Sequence, residues 1–91
     1  MAEVGADLET MRNLHKGLDE HAQKAIDMKT GLDGHFSNTV WKGTNADKMR
    51  QAWEEFKPHL DKLHQSLSEA KDDVRTQHNN IAAATGESVS I

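Results

Sequence analysis

The residues able to do chemistry in this chain are six histidines, His15, His21, His35, His59, His64 and His78, set among fifteen carboxylates and no cysteine. A helix offers two ligands to one metal at spacings of about three or four residues. His15 and His21 stand six apart and His59 and His64 five apart, so neither pair chelates along a helix. No Glu-x-x-His step, the pattern of di-iron bundles, occurs. The histidines are therefore expected on solvent or rim faces. The paired acids sit beside cations, Glu54-Glu55 before Lys57 and Asp72-Asp73 before Arg75, and read as solvated faces. Nucleophile elbows, phosphate loops and triad spacings are missing, so neither enzymatic activity nor a cofactor is expected.

A different kind of site lies mid-chain, in Ser37-Asn38-Thr39-Val40-Trp41-Lys42-Gly43-Thr44. Gly43 can adopt a backbone angle forbidden to other residues, and Trp41 has the size to plug an open end between helices. Trp-x-Gly alone specifies little; its setting gives it weight.

That setting is two amphipathic stretches. In the first, Val4, Leu8, Met11, Leu14, Leu18, Ala22, Ala25, Met28, Leu32 and Phe36 recur every three or four residues. In the second, Ala46, Met49, Trp53, Phe56, Leu60, Leu63, Leu67, Ala70, Val74, Gln77 and Ile81 alternate the same steps as a heptad seam, with Gln77 its one polar interruption. The pattern predicts helix 1 over about residues 7–38, a turn over 39–44, helix 2 over about 45–85, and a short tail. Asp7 is placed to cap the first helix, and Thr44-Asn45-Ala46-Asp47 resembles a capping box with Asp for the usual Glu. Gly31 and Gly34 predict an end, bend or loosening before Trp41, and Gly86 a helix stop. Pro58 falls on the outward face of helix 2, where a kink is tolerable, so one helix is kept. The fold class is all-α, an antiparallel two-helix hairpin.

Such a hairpin should want a mate. At 91 residues and 35% hydrophobic, the chain has little apolar surface to bury, and no disulfide compensates. The large seam residues are Leu8, Leu14, Leu18, Leu32, Phe36, Trp53, Phe56, Leu60, Leu63, Leu67 and Val74. Each contributes roughly 1.5–3 kcal/mol only when enclosed, which two hairpins packed as a four-helix bundle would achieve. Met11, Met28 and Met49 serve that seam as adaptable filler. The net charge of −4 and the lack of any basic run argue against nucleic acid. No stretch is apolar enough to span a bilayer, and Met1-Ala2-Glu3-Val4-Gly5-Ala6-Asp7 has neither the basic nor the apolar region of a cleavable leader.

Trp41 and Gly43 between two helical stretches, in a short cysteine-free chain, resemble the WXG family of type VII (ESX) secretion substrates. The likeness covers nearly the whole chain. It implies a hairpin that pairs into a four-helix dimer and leaves the cell folded, without a leader, after a cytoplasmic stage. It further implies a turn lying near the partner's C-terminal tail, where the secretion ATPase is engaged. One departure matters. The family's export signal is a Tyr followed four residues later by an acid, and this chain has no Tyr; Ala83 and Glu87 match only a loose version. That departure favours a heterodimer, in which a second WXG-type hairpin supplies the signal, over a homodimer. The competing readings are a cytoplasmic adaptor or chaperone for a larger effector and, behind it, a metal-binding bundle with ligands drawn from both helices.

Overall fold

The computed structural model describes residues 7–87 and 89–91. Val4 lies outside them, as do the other residues of 1–6, where no leader is expected. Two helices are present, α1 (Leu8–Asn38) and α2 (Thr44–Ala84), with no strand among the described residues. At about 1.5 Å per residue the 41 residues of α2 account for the 64 Å long axis. The other extents, 24 and 14 Å, are those of a single layer two helices wide. Among the described residues, no third layer covers either broad face.

The helix ends have identifiable causes. Asp7 sits in an extended conformation, and its carboxylate accepts from the Thr10 amide at 3.0 Å, satisfying one of the orphan donors of α1. Gly31 and Gly34 neither end nor interrupt α1, which continues to Asn38. Their propensity cost, about 1 kcal/mol each, is outweighed by packing of the neighbouring turns against α2. The chain turns extended at Thr39, whose amide donates to the Phe36 carbonyl and whose hydroxyl donates to that of His35.

The expected capping box does not form. Gly43, at φ +117°, is itself the N-cap, Thr44 already lies inside the helix, and no side chain caps the end. A backbone angle reserved for glycine sets the start of α2 one residue earlier than the box would. At the far end Gly86 takes φ +79°. The Glu87 amide donates to the Ala82 carbonyl and the Gly86 amide to Ala83, the paired bonds of a Schellman stop. Pro58 is exposed within an unbroken α2, so the bond it omits falls on the solvated side.

The helices pack antiparallel in a register fixed by cross-links: Asp19 with Lys71, Ala22 with His64, Lys29 with Asp61, Asp33 with Lys57, and Phe36 with Trp53. Ala22, Ala25, Ala46, Trp53, Leu60 and Ala82 are buried. Four of these six are alanines, whose small side chains let the two backbones approach.

The second line of the seam differs from the one the apolar pattern predicted. Beside Trp53, Leu60, Leu67 and Val74, the positions turned toward α1 are Arg50, Lys57, His64, Lys71 and His78, one residue beyond Met49, Phe56, Leu63, Ala70 and Gln77. The physical reason is that α1 offers Lys57, His64 and Lys71 two carboxylates and a carbonyl lone pair, and the turn offers Arg50 two carbonyls. The aliphatic stems or rings of these four line the seam while their polar ends find partners. Gln77 is therefore exposed, no interruption of the seam, and His78 takes that level.

Candidate interaction surface

The residue preceding each of these basic positions lies on the opposite flank of the Trp53–Leu60 line. Met49, Phe56 and Leu63 stand there, exposed. On α1 the residues preceding His15, Lys29 and Asp33 are Leu14, Met28 and Leu32, also exposed. Because the helices run in opposite directions, that one-residue offset leads to the same side of the hairpin in both. The register sets Met28 at the level of Leu63 and Leu32 at the level of Phe56. Six large apolar side chains thus share one broad face. Isolated apolar residues on a surface need no explanation; a row of them on one side of both helices does.

The seam residues expected from the sequence therefore fall into two groups. Trp53 and Leu60 are buried, and Leu8, Leu18, Phe36, Leu67 and Val74 are half-buried within the hairpin. Leu14, Leu32, Phe56 and Leu63 belong to the open face, Leu63 being 47% exposed against 4% for Leu60.

Toward the turn the open face ends in an aromatic run. Phe36 stacks on Trp53 with centroids 5.3 Å apart, Phe56 lies 6.4 Å from Trp53, and His59 lies 5.7 Å from Phe56. Beneath it is a polar node. Trp53 Nε1 donates to Asp33 at 3.0 Å, and Lys57 Nζ bridges Asp33 at 3.0 Å and Glu54 at 2.9 Å. The hydrogen bond from Trp53, then that from Lys57, holds the Asp33 carboxyl below its ordinary range. Glu54, then Asp33, raises Lys57 above its ordinary value.

The turn is shaped by Arg50, whose guanidinium donates to the carbonyls of Trp41 at 2.8 Å and Thr39 at 3.1 Å. This clamp satisfies two loop acceptors and leaves Val40 92% and Trp41 45% exposed. Trp41 does not plug the end of the hairpin. Its ring lines an apolar cleft of about 210 Å³ with His35, Phe36, Thr39 and Arg50. A second cleft of about 190 Å³, reaching Asp33, Trp53 and Glu54, shares Phe36, Thr39 and Arg50 with it. Nothing in the residue type of Arg50 singles it out. Its signal is rhythmic: it begins the seven-residue series continued by Lys57, His64, Lys71 and His78.

Two histidines depart from the expected surface placement. His64 Nδ1 lies 2.9 Å from the Ala22 carbonyl, which only accepts, so that nitrogen carries the proton. His78 is wholly buried. Among the described residues no three His, Asp or Glu side chains gather as a metal site, and no helix is long and apolar enough to cross a membrane. Compared with family models, curated proteins and solved structures, the chain matches none.

Proposed function

We propose that this chain is a small secreted interaction protein of the WXG type, a substrate and co-export partner of a type VII (ESX) secretion system. The observation that carries the reading is the open apolar face. Leu14, Met28, Leu32, Met49, Phe56 and Leu63 are 39–53% exposed, and a second helical hairpin has the shape and apolar periodicity to close them into a four-helix bundle. The partner is a second WXG-type hairpin, and a different chain is favoured over a second copy, because this sequence has no Tyr for the Tyr-x-x-x-acid signal. The partner's tail then engages the secretion ATPase, and Trp41 and Gly43 form the turn beside it. The protein acts by binding, without catalysis or cofactor, and passes from cytoplasm to medium.

Two features support a contact role for the turn: Trp41 is held half-exposed by a dedicated arginine clamp, and it lines a cleft of side-chain size. The test is to assay medium and lysate of the producing cells with the secretion ATPase intact or deleted. The wild-type chain is expected in the medium only with the ATPase. Trp41→Ala is expected to remain in the lysate with a melting temperature little changed, since the ring is only half-buried. Retention of the wild-type chain in the lysate while other substrates are exported would favour the cytoplasmic adaptor.

A further inference from the structure

Beyond the stop at Gly86, Ile91 lies back against α2. The Asn79 side chain grips the backbone of Ile91 twice: Nδ2 donates to the Ile91 carbonyl at 3.1 Å, and the Ile91 amide donates to Oδ1 at 2.9 Å. This is the two-bond pairing that one strand residue makes with another, supplied here by a single amide side chain. It fixes which end of that side chain is oxygen, because Ile91 presents one donor and one acceptor. The same oxygen lies 3.1 Å from Nδ1 of the buried His78, so that ring nitrogen must donate to it. Nε2 of His78 is then buried with no partner among the described residues. A helix-interior asparagine is a poor helix former, and an unpaired buried ring nitrogen is costly. Both become intelligible if the pair exists to hold something.

We propose that residues 89–91 form a strap latched to α2 by Asn79, with His78 as a positioning residue that keeps the Asn79 oxygen turned to Ile91. The occupant of this backbone-pairing site is the chain's own Ile91. The latch stands independently of the secretion reading. Its consequence rests on that reading: a strapped segment is withheld from the export machine, which leaves the partner's tail as the one presented.

The test is residue-resolved amide hydrogen exchange on the whole protein. In the wild type the Ile91 amide is expected to exchange about tenfold or more slowly than in an unstructured peptide. Asn79→Ala is expected to bring it to the unstructured rate while the amides of Leu60 and Leu67 keep theirs, and Asn79→Asp, which retains only the acceptor, to fall between. His78→Phe keeps the ring volume but frees the amide to flip, and is expected to lower Ile91 protection several-fold. An Ile91 amide exchanging at the unstructured rate in the wild type would overturn the latch. So would full protection in Asn79→Ala. Neither outcome depends on export, so a failed latch and a failed secretion reading are distinguishable. If the latch holds, Asn79→Ala is expected to leave export of the pair unchanged; loss of export would overturn the consequence and leave the latch standing.

Discussion

The two flanks of the hairpin seam use the same helical rhythm for opposite ends. On one flank Lys57, His64 and Lys71 reach across to Asp33, the Ala22 carbonyl and Asp19, and each polar head is satisfied inside the chain. On the other, Phe56, Leu63, Met28 and Leu32 are left between 39% and 53% exposed. Hydrogen bonds and ion pairs are directional and fix register, but exposed ones add little stability. Apolar burial is non-directional and supplies most of the driving force. The chain has therefore placed its specificity where it folds on itself and much of its adhesion where it does not.

The largest effects should come from putting the same charge on each side. Leu60→Asp buries an unpaired carboxylate between the helices and is expected to cost about 3–5 kcal/mol, abolishing the cooperative melt seen by circular dichroism. Leu63→Asp, three residues on, places the charge on the open face. That variant is expected to stay helical at low temperature, to sediment as a lone hairpin, and to be missing from the complex isolated from its own cells. If Leu63→Asp unfolded as completely as Leu60→Asp, the two flanks would not differ in the way described.

The existence of two helices, their near boundaries and Asp7 as a cap were legible in the sequence because periodicity and capping are local physics. The division of the seam was not. Met49, Phe56 and Leu63 fit a heptad as well as Arg50, Lys57 and His64 do, and a reading that counts only apolar residues takes the former. What decides between them is whether α1 presents acceptors at the right level, Asp19 and Asp33 above all, and that is a matter of tertiary register. The burial of His78 is hidden on the same ground, since it depends on the antiparallel packing. At the turn, Trp41 and Gly43 could be singled out by type. The clamp that exposes Trp41 is nine residues away from it, at Arg50.

A milder cut falls on the node joining the two flanks. Trp53→Phe keeps an aromatic ring against Phe36 but removes the Nε1 donor from Asp33. The expected result is a melting temperature lower by about 5 °C, the scale of one net hydrogen bond in a domain of this size. Lys57 remains on Asp33, which keeps the loss below that of an orphaned carboxylate. A fall in melting temperature as large as that of Leu60→Asp would mean that Trp53 acts mainly through packing with Phe36 and Phe56 on the open side.

The smallest effect should come from Asp33→Asn, and its signature is a pH dependence confined to the stitched flank. The Asp33 carboxyl is held below its ordinary value of 3.8 by Trp53 and then Lys57. A group depressed in the folded state contributes stability above its unfolded value, and that contribution drains away as pH falls through the lower folded value. The wild type should therefore melt above the Asp33→Asn variant at neutral pH, with the gap closing below about pH 4. Lys57 behaves in the opposite sense: raised above 10.5, it contributes below that value and loses its contribution as pH rises through the folded one. Glu54 is the larger cause of that rise and survives the substitution. Asp33→Asn should accordingly flatten the acid limb of the melting profile more than the alkaline limb. Equal flattening of both would show that Glu54 does not hold Lys57 by itself, and that the stitched flank is one cooperative network instead of a row of separate ties.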